Sequence, residues 1–303
     1  MKKLKILVIG GGGYIGSMLT TELIKNKFYV RCFDRFSSSK ILSKLKLNKN
    51  IEIVIGDIRN IESKSFLGIN IVIDLAALTK NLDGKEQEII QINKNARKKI
   101  IELSKENGVL QYIRISSSNI YSGNMNENSE KTIPNPQTLY AKINLELDEY
   151  AIALNNDKFR VTVLRLASIF GYSLRMRWDQ SINNMIKELC TNGKIEVKSK
   201  NSKRPFLHIN DAIKAIILVI KSEKGIAGEI FNVGSNDMNY SMGEIAKKIV
   251  NIAKKENSLV VYDEKDENSF TMNCDKINKK LGFKKNNDLE YGINEILEKL
   301  NYR

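Results

Sequence analysis

The feature that most constrains this chain is a run of glycines, Gly10-Gly11-Gly12-Gly13, closed by Tyr14-Ile15-Gly16. It stands between an apolar run, Lys5–Ile9, and a segment in which Ile15, Met18, Leu19 and Leu23 recur at helical spacing. Without Cβ atoms the backbone can bend tightly there, and its N–H groups can approach an anion at the start of the helix. The string satisfies G-x-G-x-x-G from Gly11, Gly13 and Gly16, and G-x-x-G-x-x-G from Gly10, Gly13 and Gly16. Context gives it weight. The next β-branched run, Tyr29–Asp34, ends in an acid 34 − 16 = 18 positions beyond the last glycine. A carboxylate there accepts from both ribose hydroxyls of a dinucleotide and repels a 2′-phosphate, so NAD is the expected cofactor. Gly10, Gly13, Tyr14, Ile15 and Gly16 would hold its pyrophosphate and Asp34 its ribose. Asp57, followed by Ile58, ends the third strand and suits either the adenine amino group or a helix N-cap. Ala76 and Ala77, after the fourth strand, are small enough for a cofactor to lie against the sheet.

Short β-branched runs at Ile51–Ile55, Ile71–Leu75, Gln111–Ser117 and Phe159–Leu166 alternate with helical segments, among them Lys85–Asn107 and Leu139–Asn155. This rhythm predicts parallel βαβ units in an α/β, doubly wound (Rossmann) sheet, with its ligand crevice outside the carboxyl ends of the strands. After Gly171 the rhythm changes. Helices are expected over Asp179–Cys190, Asn210–Lys221, Met242–Lys254 and Asp288–Leu300, strands over Lys194–Val197 and Glu229–Val233, and a polar loop over Ser199–Arg204. The chain therefore divides into a dinucleotide-binding domain over residues 1–170 and a smaller, mainly substrate-binding lobe over 171–303, with elements near 205–235 returning to the first.

Composition narrows the partners. Lys+Arg 49 against Asp+Glu 35 gives +14, which invites a nucleic-acid reading. Only 11 of those cations are Arg, while Asn reaches 34, so the excess reads as the compositional drift of a lysine- and asparagine-rich chain. A phosphate-binding surface would favour the guanidinium fork. Cys32, Cys190 and Cys274 are far apart, and with one histidine no metal-ligand cluster forms. No signal peptide is expected, because the glycines interrupt the apolar stretch after Met1-Lys2-Lys3, and no run reaches the length of a membrane span. The expectation is a cytoplasmic protein with no metal, no nucleic acid and no membrane partner.

Beyond the glycines, the chain resembles the extended short-chain dehydrogenase/reductases that act on nucleotide sugars. The likeness runs nearly end to end. It is carried by Gly56-Asp57-Ile58, Ala76-Ala77, Asn93, Ser116-Ser117-Ser118-Asn119-Ile120-Tyr121, Phe170-Gly171-Tyr172-Ser173-Leu174-Arg175-Met176-Arg177, Arg204-Pro205-Phe206-Leu207-His208-Ile209-Asn210-Asp211 and Gly228-Glu229-Ile230-Phe231-Asn232-Val233-Gly234. It implies that Asn93 and Ser116 lie on the cofactor side. Ser117 would hydrogen-bond the sugar oxygen being interconverted, and Tyr140 would move its proton while contacting the cofactor. Ser118, Ser168, Arg177 and Arg204 would meet the substrate. It also implies a homodimer built on the helices Lys85–Asn107 and Leu139–Asn155, and hydride exchange at sugar carbon 4 by a 4-epimerase or dehydrogenase/reductase.

One departure matters chemically. The family's base is Tyr-x-x-x-Lys, whereas this chain has Tyr140-Ala141-Lys142-Ile143-Asn144. A free tyrosine titrates near pH ~10, and the lysine's charge would favour its oxyanion. Asn144 can offer a ribose hydrogen bond but no charge, and Lys142, two residues on, faces away around the helix. An alternative is thus an NAD(H)-holding member with impaired catalysis that serves as a sensor or partner subunit. Ser118-Asn119 replaces the Asp-Glu pair of 4,6-dehydratases, which disfavours elimination of water. Ser168 stands where the family usually has asparagine, and Asp263 where a second diphosphate-binding arginine is expected, with Lys265 nearby as a substitute. His208, the one histidine, suits a core or capping role better than catalysis.

Overall fold

The structure is a computed structural model that describes residues 4–79, 85–222, 224–264 and 268–302; Met1-Lys2-Lys3 and Lys265, both weighed above, lie outside the described residues. The first part of the chain runs β1 (Lys5–Ile9), α1 (Tyr14–Lys25), β2 (Tyr29–Asp34), α2 (Ser39–Lys46), β3 (Ile51–Ile55) and β4 (Ile71–Asp74). It continues through α3 (Glu86–Ile89), a π-helical stretch (Ile90–Ala96), α4 (Arg97–Glu106), β5 (Gln111–Ser117), β6 (Glu127–Asn128), α5 (Leu139–Ala153) and β7 (Arg160–Leu166). The rest comprises β8 (Ser168–Phe170), α6 (Ser181–Asn192), β9 (Ile195–Val197), β10 (Lys203–His208), α7 (Ile209–Lys221), β11 (Glu229–Val233), β12 (Asn239–Ser241), α8 (Met242–Ile252), β13 (Leu259–Val261), β14 (Thr271–Met272), α9 (Asp275–Leu281) and α10 (Leu289–Lys299).

Seven strands form one parallel sheet in the order β3-β2-β1-β4-β5-β7-β11. Strand order reverses between β1 and β4, which places the crevice of a doubly wound sheet at their carboxyl ends. Alternation along the strands explains why both faces are covered. Ile6 and Val8 of β1 join α1, α2 and α7 in one apolar layer, while Leu7 and Ile9 join the 90–106 helix and α5 in the other. A third cluster, of α6, α8 and α10 with Ile195, Val197 and Phe206, forms a separate core in the second half. There β8, β10 and β12 make a small sheet of their own.

Two expectations need correction. The segment expected as one uninterrupted α-helix, 85–107, is widened by the π-helical turns over Ile90–Ala96; such turns concentrate where a helix must aim particular side chains. The expected polar loop Ser199–Arg204 is shorter, since strand β10 begins at Lys203 and pairs with β12. Helices α2 and α9, about two turns each, and the two-residue strands β6 and β14 are too short to stand out in the sequence.

Candidate functional site

The glycine turn sits at the reversal point. Gly10 has φ +82°, and a Cβ on it would lie 2.9 Å from the backbone nitrogen of Ala76. A Cβ on Gly16 would meet the Gly10 carbonyl oxygen at 2.1 Å. Gly10 therefore lets β1 turn against the end of β4, and Gly16 lets α1 lie directly on that turn. Gly13 caps α1 and has no side chain to occupy the helix N-terminus. The Asp34 carboxylate ends β2 and faces this turn, accepting from Gly12 N at 3.0 Å and Phe36 N at 2.7 Å. A cradle that any Cβ would fill, a free-standing helix N-terminus and an acid at the next strand end together fit a dinucleotide.

The side chain of Tyr14 is spent elsewhere. Its hydroxyl donates to Gly171 O at 2.7 Å and accepts from Asn183 at 3.1 Å, and its carbonyl accepts from Ser173 Oγ at 2.6 Å. Burial pushes its phenol well up, so it acts as a neutral strut between the glycine turn and the 171–177 segment. Ile15 is half-buried on α1. Asp57 caps a short 3₁₀ turn opened by the buried Ile58, accepting from Arg59 N, and pairs with the Arg59 guanidinium at 2.7 Å. That hydrogen bond from Arg59 holds its carboxyl below the usual range. Ala76 and Ala77 are half-buried in the loop after β4. Asn93 clamps that loop: its amide bonds both the N–H and the carbonyl of Leu78 at 2.7 Å, so it shapes the crevice wall.

At the carboxyl end of β5 the three serines separate. Ser116 is 5 % exposed and donates to Asp148 at 2.8 Å; Ser118 is 1 % exposed. Ser117 alone of the three is half-buried, capping a 3₁₀ turn through Asn119 N. Tyr140 lies in the first turn of α5, which Thr138 caps, and is likewise half-buried. The ribose hydrogen bond open to Asn144 competes with contacts that the fold already gives its side chain. Asn144 is 1 % exposed; its amide nitrogen donates to Tyr140 O at 2.9 Å and its oxygen accepts from Arg114 at 3.0 Å and Arg97 at 3.4 Å. Lys142 is exposed.

Beneath this end of α5 lies a group that sequence reasoning missed. Arg97 pairs with Asp74 at 2.8 Å, and Arg114 and Arg165 pair with Asp148 at 2.8 and 3.2 Å. Arg114 also comes within 3.8 Å of Asp74, its register partner across β4 and β5. The signal was present in the strands: Asp74, Arg114 and Arg165 interrupt otherwise apolar runs on the face that also carries Val72, Tyr112 and Val163.

The residues expected on the substrate side are dispersed over the second half. Ser168 opens β8 beside Phe206; Arg177 forms a two-point pair with Asp179. Arg204, on β10, bonds Ser202 Oγ and Lys203 O and lies over the Phe270 ring. Asp263 pairs with Lys200 at 3.3 Å. His208 is fully buried, caps α7 and meets Glu295 at 3.1 Å. Among the described residues no cluster of metal-ligating side chains occurs, and no helix is long and apolar enough to cross a membrane.

Fold and crevice thus define a doubly wound dinucleotide-binding protein. Residues 6–234 match the model of the NAD dependent epimerase/dehydratase family, and the chain belongs to that family. It is 25% identical over 269 residues to dTDP-D-glucose 4,6-dehydratase of Homo sapiens, covering 84% of this chain and 75% of the relative. It is also 25% identical over 229 residues to a 3-beta-hydroxysteroid dehydrogenase of Mycolicibacterium neoaurum, covering 71% and 60% respectively. Its fold matches UDP-glucuronic acid 4-epimerase from Bacillus cereus, solved with UDP-glucuronic acid and NAD, at TM-score 0.89 and 24% identity over 98% of this chain and 99% of that one.

Proposed function

We propose that the protein is an NAD-dependent enzyme acting on a nucleotide-activated sugar, oxidising or reducing carbon 4 as a 4-epimerase or a dehydrogenase/reductase. The observation that carries this reading is the selective accessibility of two hydroxyl-bearing residues: Ser117 and Tyr140 are only half-buried at the crevice end of β5 and α5, while Ser116, Ser118, Asn144 and Asp148 around them are buried. NAD, when bound, supplies the hydride acceptor and donor. The backbone of Gly10–Gly16 would hold its pyrophosphate and Asp34 its adenosine ribose. Ser117 orients the sugar hydroxyl or carbonyl, and Tyr140 takes or gives its proton. Arg177 and Arg204 are the cations available for the nucleotide diphosphate, each by exchanging a present contact for a phosphate oxygen. Elimination of water fits less well, since Ser118 and Asn119 place no carboxylate after Ser117. Pairing of two copies along the 86–106 helix and α5, and a cytoplasmic location, complete the reading.

The test is incubation of purified protein and NAD with UDP-, GDP- and dTDP-sugars, followed by NMR of the sugar. A new C4 epimer or 4-keto sugar is expected, with kcat reduced roughly 100-fold or more by Tyr140→Phe and by Ser117→Ala. No turnover across the panel would overturn the proposal.

A further inference from the structure

The charge beneath α5 does not balance. Arg97, Arg114, Arg165, Asp74 and Asp148 have side chains 2, 0, 4, 0 and 0 % exposed. Three guanidiniums against two carboxylates leave 3 − 2 = +1 sealed from water. Asn144 and Ser116 are neutral, and burial keeps the phenols of Tyr112 and Tyr121 protonated. The half-buried carboxylate of Glu130 lies beyond Tyr121 on the Arg165 side, where it accepts from Asn232 N, and is held outside the sealed set. A buried net charge is costly unless something uses it.

Its place is specific. Arg97 and Arg114 both donate to the Asn144 amide oxygen, one helical turn beyond Tyr140, and Asn144 in turn donates to the Tyr140 carbonyl. Two guanidiniums share one neutral oxygen; an ammonium at position 144 would make a third cation in contact. Burial and then the neighbouring Arg97 push the Arg114 guanidinium below its usual value, whereas Asp74 holds the Arg97 guanidinium up against its own burial. Nη1 of Arg114 and Oδ1 of Asp74 have no hydrogen-bond partner, so the set is not closed on itself. Other charges near the start of α5 are accounted for: Lys94 and Glu146 pair on the surface at 2.8 Å, and Lys142 is solvated.

We propose that Arg97, backed by Arg114, is the positioning cation for proton transfer at Tyr140, and that Asn144 is neutral because the two guanidiniums already occupy the place of a lysine. This rests on the reading of Tyr140 as the acid/base. As the C4 hydroxyl becomes a ketone, its proton passes to the Tyr140 oxyanion; the hydride acceptor would be the oxidised cofactor held at Gly10–Gly16 and Asp34. The buried +1 stabilises that oxyanion beforehand, in a medium where charge acts over several ångströms.

The experiment cancels the charge without emptying the space. Asn144→Asp sets a carboxylate against both guanidiniums, Arg97→Gln keeps a donor for Asp74, and Arg97→Lys preserves the charge. In cofactor-free protein, the tyrosinate absorbance isolated by subtracting a Tyr140→Phe spectrum is expected to appear roughly one pH unit higher in Asn144→Asp and Arg97→Gln than in wild type. Arg97→Lys should leave it in place. With a sugar substrate, kcat should fall roughly 10–100-fold in the two neutralised variants, with KM changed less than about threefold. Asn144→Lys introduced into Arg97→Gln should restore kcat. An unchanged titration in both neutralised variants would overturn the proposal, as would a gain of more than about tenfold from Asn144→Lys alone. The Asn144→Asp arm gains ion pairs, so it stands if Arg97→Gln does not fold. The absorbance titration needs no sugar, so it decides this proposal even if no nucleotide sugar is turned over.

Discussion

The crevice has two walls made by opposite means. On the β1–α1 side, shape does the work: absent side chains at Gly10 and Gly16 let backbone meet backbone, and one acid, Asp34, is pinned by two N–H groups. On the β5–α5 side, charge does it: five fully ionisable side chains are sealed under a helix and held by one another. Each wall is accordingly vulnerable to a different change. A shape-built wall fails when an atom is added. A charge-built wall fails when an atom is removed, because what remains is an unpaired buried ion.

The largest expected effect breaks the second wall. Asp148→Ala strips Arg114, Arg165 and Ser116 of their common acceptor. A loss of about 3–5 kcal/mol is expected in urea unfolding, against less than about 1 kcal/mol for Glu146→Ala at the exposed Lys94 pair. Equal losses would mean that the buried set holds no more of the fold than a surface pair does. Next comes the first wall. Gly16→Ala drives a Cβ into the Gly10 carbonyl and should cost about 1–3 kcal/mol and weaken NAD binding at least tenfold by calorimetry. Gly225→Ala, where a Cβ meets open space, is the control and should leave NAD binding unchanged.

The two walls also differ in how far they could be read beforehand. Strand, glycines, helix and acid lie within 30 residues of sequence, from Lys5 to Asp34, so local rules reach all of it: the bounds of β1 and β2 match the expected segments, and α1 carries Ile15, Met18, Leu19 and Leu23. The charge set joins residues 74, 97, 114, 148 and 165: sheet register sets Asp74 beside Arg114 and places Arg165 two residues further along the same face, and two helices packed on the sheet bring Arg97 and Asp148. Period-two reading of Ile71–Asp74, Tyr112–Ser116 and Val163–Arg165 would have put Asp74, Arg114 and Arg165 on one face. Nothing local marks Arg97, which follows the π-helical turns in a lysine-rich helix. The missing lysine at 144 was legible as a departure, but its physical companion was not. The bulk charge of +14 drew attention to the surface, whereas the cations that matter to the fold are buried arginines.

A smaller effect sharpens the account of the shape-built wall by touching its one charge. Asp34→Asn keeps acceptor and size but removes the repulsion toward a 2′-phosphate. The preference for NAD over NADP, measured by fluorescence titration of the reduced forms, is expected to fall by roughly tenfold, about 1.4 kcal/mol. Overall stability should change little, because the remaining amide oxygen still accepts one of the two N–H bonds from Gly12 and Phe36.

The smallest expected effect lies where the second half of the chain meets the glycine wall. Glu295 accepts from Tyr172 N at 2.8 Å and meets His208 at 3.1 Å, and Tyr172 belongs to the segment that Tyr14 holds through Gly171. Burial alone would raise the Glu295 carboxyl; its hydrogen bonds to His208 and the Tyr172 N–H outweigh that and hold it below the usual value. A carboxyl whose folded value is depressed binds its proton less readily folded than unfolded. Its contribution is therefore complete above the unfolded value near pH ~4.5 and is lost as pH falls through the lower folded value. Wild type should exceed Glu295→Gln in stability by about 1 kcal/mol at neutral pH, with the gap closing in acid below that value. Thermal unfolding of both proteins across pH reads this directly. A gap that stays constant into acid would mean that packing of the side chain, and not its charge, ties the 171–177 segment to α10.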